Sequence, residues 1–266
     1  MAIQLPWIGT SAVANTGKRW ATEQRVAVRL PAAGWLSEMN GRSVEVIIEI
    51  NAEWNYNKDW VIGALRNAGS APVVLNIRGD IVSYSAAVPL LEFPWDLQNE
   101  YVIINNYASI FGRGGGGGGQ QNGGYPSGGG HAISNYIGRR LRINNLGNIG
   151  GGGGGGGCAW HAASGQAGSG GGGGCPLGAG GVSYVGGIYS GKDGTISSQG
   201  AAGERLFSGD RSVQGGPGAW LAQTGGGANG NVNGYVYTPG AGGGHALIGE
   251  APTWINLGSV HGPYLA

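Results

Sequence analysis

Residues 150–157 read GGGGGGGG, entered from RINNLGNI (142–149) and left into CAWHAASGQ (158–166). The reading of this run decides the fold. A flexible tether mixes Gly with Ser throughout its length. Here glycine is segregated. GRGGGGGG (112–119), GGG (128–130), GGGGG (170–174), GGG (225–227) and GAGGG (240–244) alternate with varied, aromatic-containing segments such as QQNGGYPS (120–127) and NVNGYVYTP (231–239).

Ordering glycine costs more backbone entropy than ordering any other residue, and no side chain is buried in return. An ordered tract must gain elsewhere. Extended left-handed helices with three residues per turn pack so closely that only glycine fits. They make no internal hydrogen bonds, so N–H and C=O point outward and pair with neighbouring rods, with Cα–H···O contacts added. At roughly 3.1 Å per residue, a six-residue tract spans about 19 Å. The expectation is a short slab of rods with the intervening segments emerging as loops at its two ends.

Internal repeats point the same way. IINNYASIFGRGGGG (103–117), RINNLGNIGGGG (142–153) and WINLGSVHG (254–262) share an Ile-Asn-(Asn)-x-small-x-Ile/Val pattern, and GGGHAI (128–133) is matched by GGGHALIG (242–249). Asn supports turns and Ile or Val fills a core, which suggests stacked rungs.

Only 7 of the 61 glycines fall in residues 1–111, so two domains are expected, 1–111 and 112–266. VEVIIEINAEW (44–54) and APVVLNIRGDIVSYS (71–85) read as strands, and the first domain is expected to be mostly β, with at most short helices near Ser37–Asn40 and Trp95–Asn99. Six of nine tryptophans lie there: Trp7, Trp20, Trp35, Trp54, Trp60 and Trp95. Two readings of them stay open, a Trp-rich core or anchors of an interface.

Charged residues make up 11% and the formal net charge is +1, which gives no reason to expect nucleic acid or an anionic membrane as partner. The opening MAIQLPWIGTSAV lacks the charged start and long apolar run of a signal peptide, so synthesis in a cytosol is expected. GGIYSGKD (186–193) nearly spells a phosphate-binding loop, but Asp193 stands where the hydroxyl belongs. Cys158, His161 and Cys175, with His131 or His245, fit no compact zinc spacing. No metal, cofactor or catalytic set is expected, free thiols are expected at Cys158 and Cys175, and Arg139, Arg140 and Arg142 read as a solvated basic face.

Over its whole length the sequence resembles the adhesins at the distal tips of the long tail fibres of T-even-like bacteriophages. The opening MAIQLPWIGTSAVANTGKRW, the Trp-rich first half and the glycine motifs alternating with variable segments carry the resemblance. It implies a fibre-attachment domain followed by a polyglycine-II sandwich whose free-end loops bind an outer-membrane protein of the host, lipopolysaccharide being the alternative. It also implies that one adhesin, made in the host cytoplasm, caps a trimeric fibre of the virion. A structural glycine-rich coat or wall protein with no receptor is the competing reading.

Tract parity places the loops. A first tract running outward from Gly112 sets 120–127, 158–169 and 231–239 at the free end. The receptor-contact candidates are therefore Gln120, Gln121, Asn122, Tyr125, Trp160, His161, Val232, Tyr235 and Tyr237, with Phe207 and Trp220 from the less regular 175–224 region. Trp7, Trp20 and Trp35 are the candidates for fibre binding.

Overall fold

The computed structural model describes residues 2–4, 8–119, 124–162, 166–185, 187–208 and 210–265. The protein begins with a small helical unit. α1 (Ile8–Thr16), α2 (Ala21–Ala27) and a 3₁₀ turn (Leu36–Met39) close over Ile3, Ala12, Val28 and Met39. Among the described residues up to 40 there is thus no strand, only helix and turn. The signal was weak because α1 and α2 are short and the unit is organised by a charge. The Arg25 guanidinium, 2% exposed, donates to the carbonyls of Pro31, Ala33 and Trp35 and pairs with Glu38 at 2.7 Å.

A parallel β-solenoid follows. Its first rung is β1 (Val46–Ile50), β2 (Glu53–Tyr56) and α3 (Lys58–Asn67); the second is β3 (Val73–Ile77), β4 (Ile81–Ser83) and β5 (Leu91–Phe93). The third contains β6 (Val102–Asn106), β7 (Ser109–Phe111) and β8 (Ile133–Asn135). The fourth contains β9 (Leu141–Asn145) and β10 (Asn148–Gly150). The backbone then leaves the solenoid, forms the short strands β11 (Ala159–His161), β12 (Gln166–Ser169), β13 (Leu206–Ser208), β14 (Arg211–Gln214), β15 (Asn229–Gly230) and β16 (Tyr235–Tyr237), and returns as β17 (Leu247–Gly249). β18 (Thr253–Asn256) and β19 (Ser259–His261) make the last rung.

Stacking these rungs yields three parallel sheets, β1-β3-β6-β9-β18, β2-β4-β7-β10-β19 and β5-β8-β17. In the first rung α3 takes the third face. Asn57 caps it by accepting the Asp59 N–H at 3.0 Å, and Val61, Ile62 and Leu65 turn inward. Ile and Leu fill the interior: Leu75, Ile104 and Ile143 are fully buried, as are Ile81, Ile110 and Ile149. The Ile-Asn-Asn repeat is therefore a rung repeat. Its second Asn turns the corner between two sheets: Asn106 and Asn145 are buried, and each accepts the N–H two residues on, Ala108 and Gly147. Its first Asn runs along the outside as a ladder, Asn144 donating to Asn105 at 3.1 Å, Asn105 to Asn76 at 2.9 Å and Asn76 to Glu49 at 2.7 Å.

Glycine content changes at Phe111–Gly112, where the backbone leaves the third rung. Strand pairing follows another line, because 247–261 belongs to the solenoid sheets. Gly density does not register this; the rung pattern WINLGSVHG does.

The described tryptophans of residues 1–111 are not core residues. Trp20, Trp35, Trp54, Trp60 and Trp95 are all exposed, and Trp7 lies outside the described residues. The segment 95–99 is a turn rather than a helix.

Candidate functional site

The tracts leave and re-enter the solenoid at one end, so their other end is free. Backbone hydrogen bonds give each tract its direction. The N–H groups of Gly112, Gly115 and Gly118 donate to the carbonyls of Gly150, Gly153 and Gly156, so the first two outward tracts run parallel. Gly152 and Gly155 donate to Gly130 and Ser127, and Gly153 and Gly156 to Cys175 and Gly172, which makes 127–130 and 170–175 inward tracts. By the same rule 178–181, 200–203 and 223–226 run outward, and 191–194, 216–219 and 241–244 run inward. Among the described residues, the turns at the free end are thus formed by 124–126, 158–162 with 166–169, 183–185 with 187–188, 204–208 with 210–214, and 228–238.

From Gly151 to Gly157, a Cβ on any glycine of the central tract would run into the backbone of a neighbouring segment. A Cβ on Gly153 would stand 2.2 Å from the Ala219 oxygen, and one on Gly155 would stand 1.9 Å from that of Gly116. The tracts therefore hold the loop ends on a stiff base.

Two small antiparallel sheets build the free end. β12-β11-β16 aligns Trp160 with Val236 and His161 with Tyr235, and the rings of His161 and Tyr235 meet edge to face at 5.3 Å. β13-β14-β15 carries the exposed Phe207. Gly168 lets the sheets meet: a Cβ there would stand 2.8 Å from the Tyr235 ring and 3.3 Å from Leu206. Val232 and Tyr237 fix one another, the Val232 N–H donating to the Tyr237 hydroxyl at 3.0 Å and that hydroxyl donating back to the Val232 carbonyl at 3.3 Å. Thr238 ties this sheet to its base through Cys158, accepting the Cys158 N–H at 2.8 Å.

Tyr125 is exposed beside this group, since Gly124 lies against the Trp160 ring. The structure thus gathers Tyr125, Trp160, His161, Phe207, Val232, Tyr235 and Tyr237 at one end. Gln120, Gln121 and Asn122 lie outside the described residues. Trp220 does not belong with them. It follows the inward tract 216–219 and turns back through the Gln223 N–H to Trp220 carbonyl bond, at the solenoid end. The region GERLFSGDRSVQGGPGAWL holds both kinds of turn, and its short tract GGPG is not legible as one. Sequence reasoning also missed Tyr184, Val185 and Ile188, exposed between the tracts 178–181 and 191–194. A direction assigned to the tract GAGG (178–181) was the available signal.

This architecture, a capped rung solenoid carrying packed glycine tracts with an aromatic free end, has known counterparts. Residues 1–40 match the family model for the phage tail fibre adhesin Gp38 N-terminal domain, and residues 45–265 the model for the phage tail fibre adhesin Gp38. The chain belongs to the phage tail fibre adhesin family. It is 46% identical over 276 residues to the receptor-recognizing protein gp38 of Salmonella phage S16, and the match spans the full length of both proteins. It is also similar to a protein in the crystal structure of the gp37-gp38 adhesin tip complex of the phage S16 long tail fibre. That likeness has a TM-score of 0.76 and 41% identity over 99% of this protein and 100% of the other. The family is one of adhesins and not of enzymes, and its members are virion components. A coat or wall protein without a receptor is thereby set aside.

In the adhesin the two family models meet at 40–45, where the helical unit joins β1. Arg29 and Arg42 both reach Glu100 across this joint, at 3.2 and 3.3 Å, and Asn15 accepts the Val44 N–H. Trp20 and Trp35 point to solvent from the helical unit, 71% and 79% exposed. Arg25 holds the loop that carries Trp35, and Gly34 makes room for it: with φ +148°, a Cβ there would stand 2.0 Å from the Arg25 guanidinium.

Two arginines of the 139–142 cluster have structural partners. Arg140 donates to the Leu97 and Asn99 carbonyls and Arg142 lies 4.1 Å over the Tyr101 ring, so this basic cluster ties the solenoid together. Cys158 and Cys175 are free, buried and at opposite ends of the tracts; burial pushes the Cys175 thiol up to about 11 and raises that of Cys158. Among the described residues no three His, Cys, Asp or Glu residues gather as a metal site.

Proposed function

We propose that this adhesin caps a trimeric long tail fibre through its helical unit and recognises an outer-membrane protein of the bacterial host through its free-end loops. The observation that carries the reading is the collection of half-exposed aromatics from separate loops on a glycine base. Tyr and Trp provide rigid contact area at low entropic cost, as in antibody loops. The S16 relative is named receptor-recognizing, and its solved counterpart is a complex with gp37, which supports a gp37-like tip protein as the partner here. Described free-end charges are balanced, Glu204 and Asp210 against Arg205 and Arg211, which favours a protein receptor over polyanionic lipopolysaccharide.

Each tract is read as a polyglycine-II helix. The period of its hydrogen bonds supports this: Gly171 and Gly174 donate to one neighbour, Gly172 and Cys175 to a second, and Gly170 and Gly173 to a third. Three residues per turn address three neighbours in rotation.

Adsorption competition tests the function. Adhesin on its fibre tip is expected to block phage attachment to host cells, and resistant hosts are expected to carry changes in one outer-membrane protein gene. Resistance confined to lipopolysaccharide synthesis would refute the protein receptor.

A further inference from the structure

We propose that Asn233 is a self-modification site, at which the side-chain amide is lost by attack of the Gly234 backbone nitrogen. The sequence holds four Asn-Gly pairs: Asn40–Gly41, Asn122–Gly123, Asn229–Gly230 and Asn233–Gly234. Asn-Gly is the pair in which this chemistry meets least obstruction, because glycine places no side chain beside the attacking nitrogen and leaves the backbone free to turn.

The step balances without an oxidant or reductant. The deprotonated Gly234 nitrogen bonds to the carboxamide carbon of Asn233, the bond from that carbon to the amide nitrogen breaks, and ammonia leaves from a five-membered succinimide. Water then opens the ring. Water at the former carboxamide carbonyl cleaves the bond newly formed to Gly234 and leaves Asp; water at the main-chain carbonyl cleaves the original peptide bond and leaves isoaspartate, with the main chain rerouted through the side chain. One amide and one water become one carboxylate and one ammonium.

The structure separates the described pairs. At Asn40–Gly41 the nucleophile is occupied, because the Gly41 N–H donates to the Ile3 carbonyl at 2.8 Å. Asn229–Gly230 is β15, paired with β14, and the Gly230 backbone is confined: a Cβ there would stand 2.4 Å from the Ser212 oxygen and 2.8 Å from the Tyr237 ring. Asn122–Gly123 lies outside the described residues. Asn233 and Gly234 are both exposed, in a turn closed by the Tyr235 N–H to Val232 carbonyl bond, which at 3.4 Å is longer than an ordinary N–H···O bond. The Gly234 N–H donates to nothing among the described residues. The His161 ring lies against this glycine, its Nε2 3.3 Å from where a Cβ of Gly234 would sit, so an imidazole nitrogen is close to the Gly234 backbone.

The product changes the free end. A carboxylate at 233 tips the balanced charges of the described loops to net negative, in the loop where Val232 and Tyr237 hold one another. That functional consequence rests on the receptor reading of this end; the chemistry does not.

The test holds the full-length adhesin at mildly alkaline pH and follows each Asn-Gly peptide by mass spectrometry, with released ammonia measured alongside. Asn233 is expected to convert to a mixture of Asp and isoaspartate, faster as pH rises, and about tenfold faster than Asn40, the factor set by one ordinary hydrogen bond. Asn233→Gln is expected to abolish the conversion at that position. Retention of the Asn233 amide, or faster loss at Asn40 or Asn229, overturns the proposal. Adsorption of phage carrying Asn233→Asp is measured separately and is expected to fall. Conversion with unchanged adsorption of that variant supports the modification site and removes 231–237 from the receptor surface.

Discussion

The Asn106 side chain donates to the Oδ1 of Asn145 across 2.8 Å inside the solenoid, and both residues are completely buried. Asn145 in turn donates to the carbonyls of Leu257 and Ser259 at 2.7 and 3.1 Å, so this pair fastens the last rung to the third. Asn145→Ala leaves the buried Asn106 amide without its acceptor and removes part-buried bonds to Leu257, Ser259 and Gly147, and is expected to cost about 1–3 kcal/mol. The effect should be seen in denaturant unfolding of the whole adhesin. Asn145→Leu keeps the volume and should be no better. Wild-type stability in either variant would show that the corner is held by its apolar neighbours.

The glycine tracts predict sharply position-dependent tolerance. Gly153→Val and Gly172→Val place a Cβ about 2 Å from carbonyl oxygens of neighbouring tracts, well inside contact distance, with only backbone available to move. Both are expected to abolish soluble folded protein. Gly242 has nothing within 4 Å of its would-be Cβ, so Gly242→Ala should melt within a few degrees of wild type. Equal protease resistance of all three variants would mean the tracts are not packed.

How much of this was legible depends on where the information sits. Ile103–Asn106 and Ile143–Asn145 reveal their rung because the pattern is local and repeats within one turn of the solenoid. Long insertions hide rung closure: β7 and β8 are separated by the 112–132 excursion, and β10 and β17 by 151–246, so glycine content split what register joins. The helical unit escaped because its buried centre is Arg25, whose partners are carbonyls that no side-chain pattern reports. Trp20 and Trp35 were legible as unusual but not as exposed. Loop direction was readable wherever tracts were long, and was lost at Gly215–Gly218, which misplaced Trp220.

His131 and His245, the matched residues of the two GGGH motifs, form the seam between the glycine tracts and the solenoid. Their rings meet edge to face at 5.2 Å, and the His131 Nδ1 accepts the His245 N–H at 2.9 Å. Burial, and then the charge of His245, hold the His131 pKa below its ordinary 6.5. The unfolded protein therefore binds this proton more readily. Stability from the neutral ring is full above pH 6.5 and is lost as pH falls below that value toward the lower folded pKa. His131→Asn keeps an acceptor without the titration, and its melting temperature is expected to fall less than that of wild type between neutral and mildly acid pH. Parallel curves would place the acid sensitivity elsewhere.

The exposure of Trp20 and Trp35 makes the fibre-anchor proposal testable without a folding artefact. Trp20→Ala and Trp35→Ala should leave the melting temperature within a few degrees, since neither side chain fills a core. Each should weaken attachment to the fibre tip by roughly 2 kcal/mol if it is a buried anchor in the complex. Co-purification of adhesin with tip protein reads this out. Arg25→Met is the contrasting variant: it removes the guanidinium that holds the Trp35 loop and should lower both stability and attachment. Full retention on the fibre by the double Trp variant would remove these residues from the interface.

Phe207 and Trp220 lie in one sequence segment but at opposite ends of the glycine tracts, and that separation tests the receptor surface most directly. Both are large and exposed, so their exchange for Ala should disturb folding little. Phe207→Ala, together with Tyr125→Ala and Trp160→Ala at the same end, should slow adsorption to host cells while the adhesin stays on its fibre. Trp220→Ala should leave adsorption unchanged. Exchange of 204–214 and 228–238 with the loops of a relative should then redirect host range, because the tracts beneath them present any loop on the same base. A host-range change produced instead by exchange of 220–222, 139–142 or 250–256 would mean that the solenoid end faces the cell and that the direction assigned to the particle is inverted.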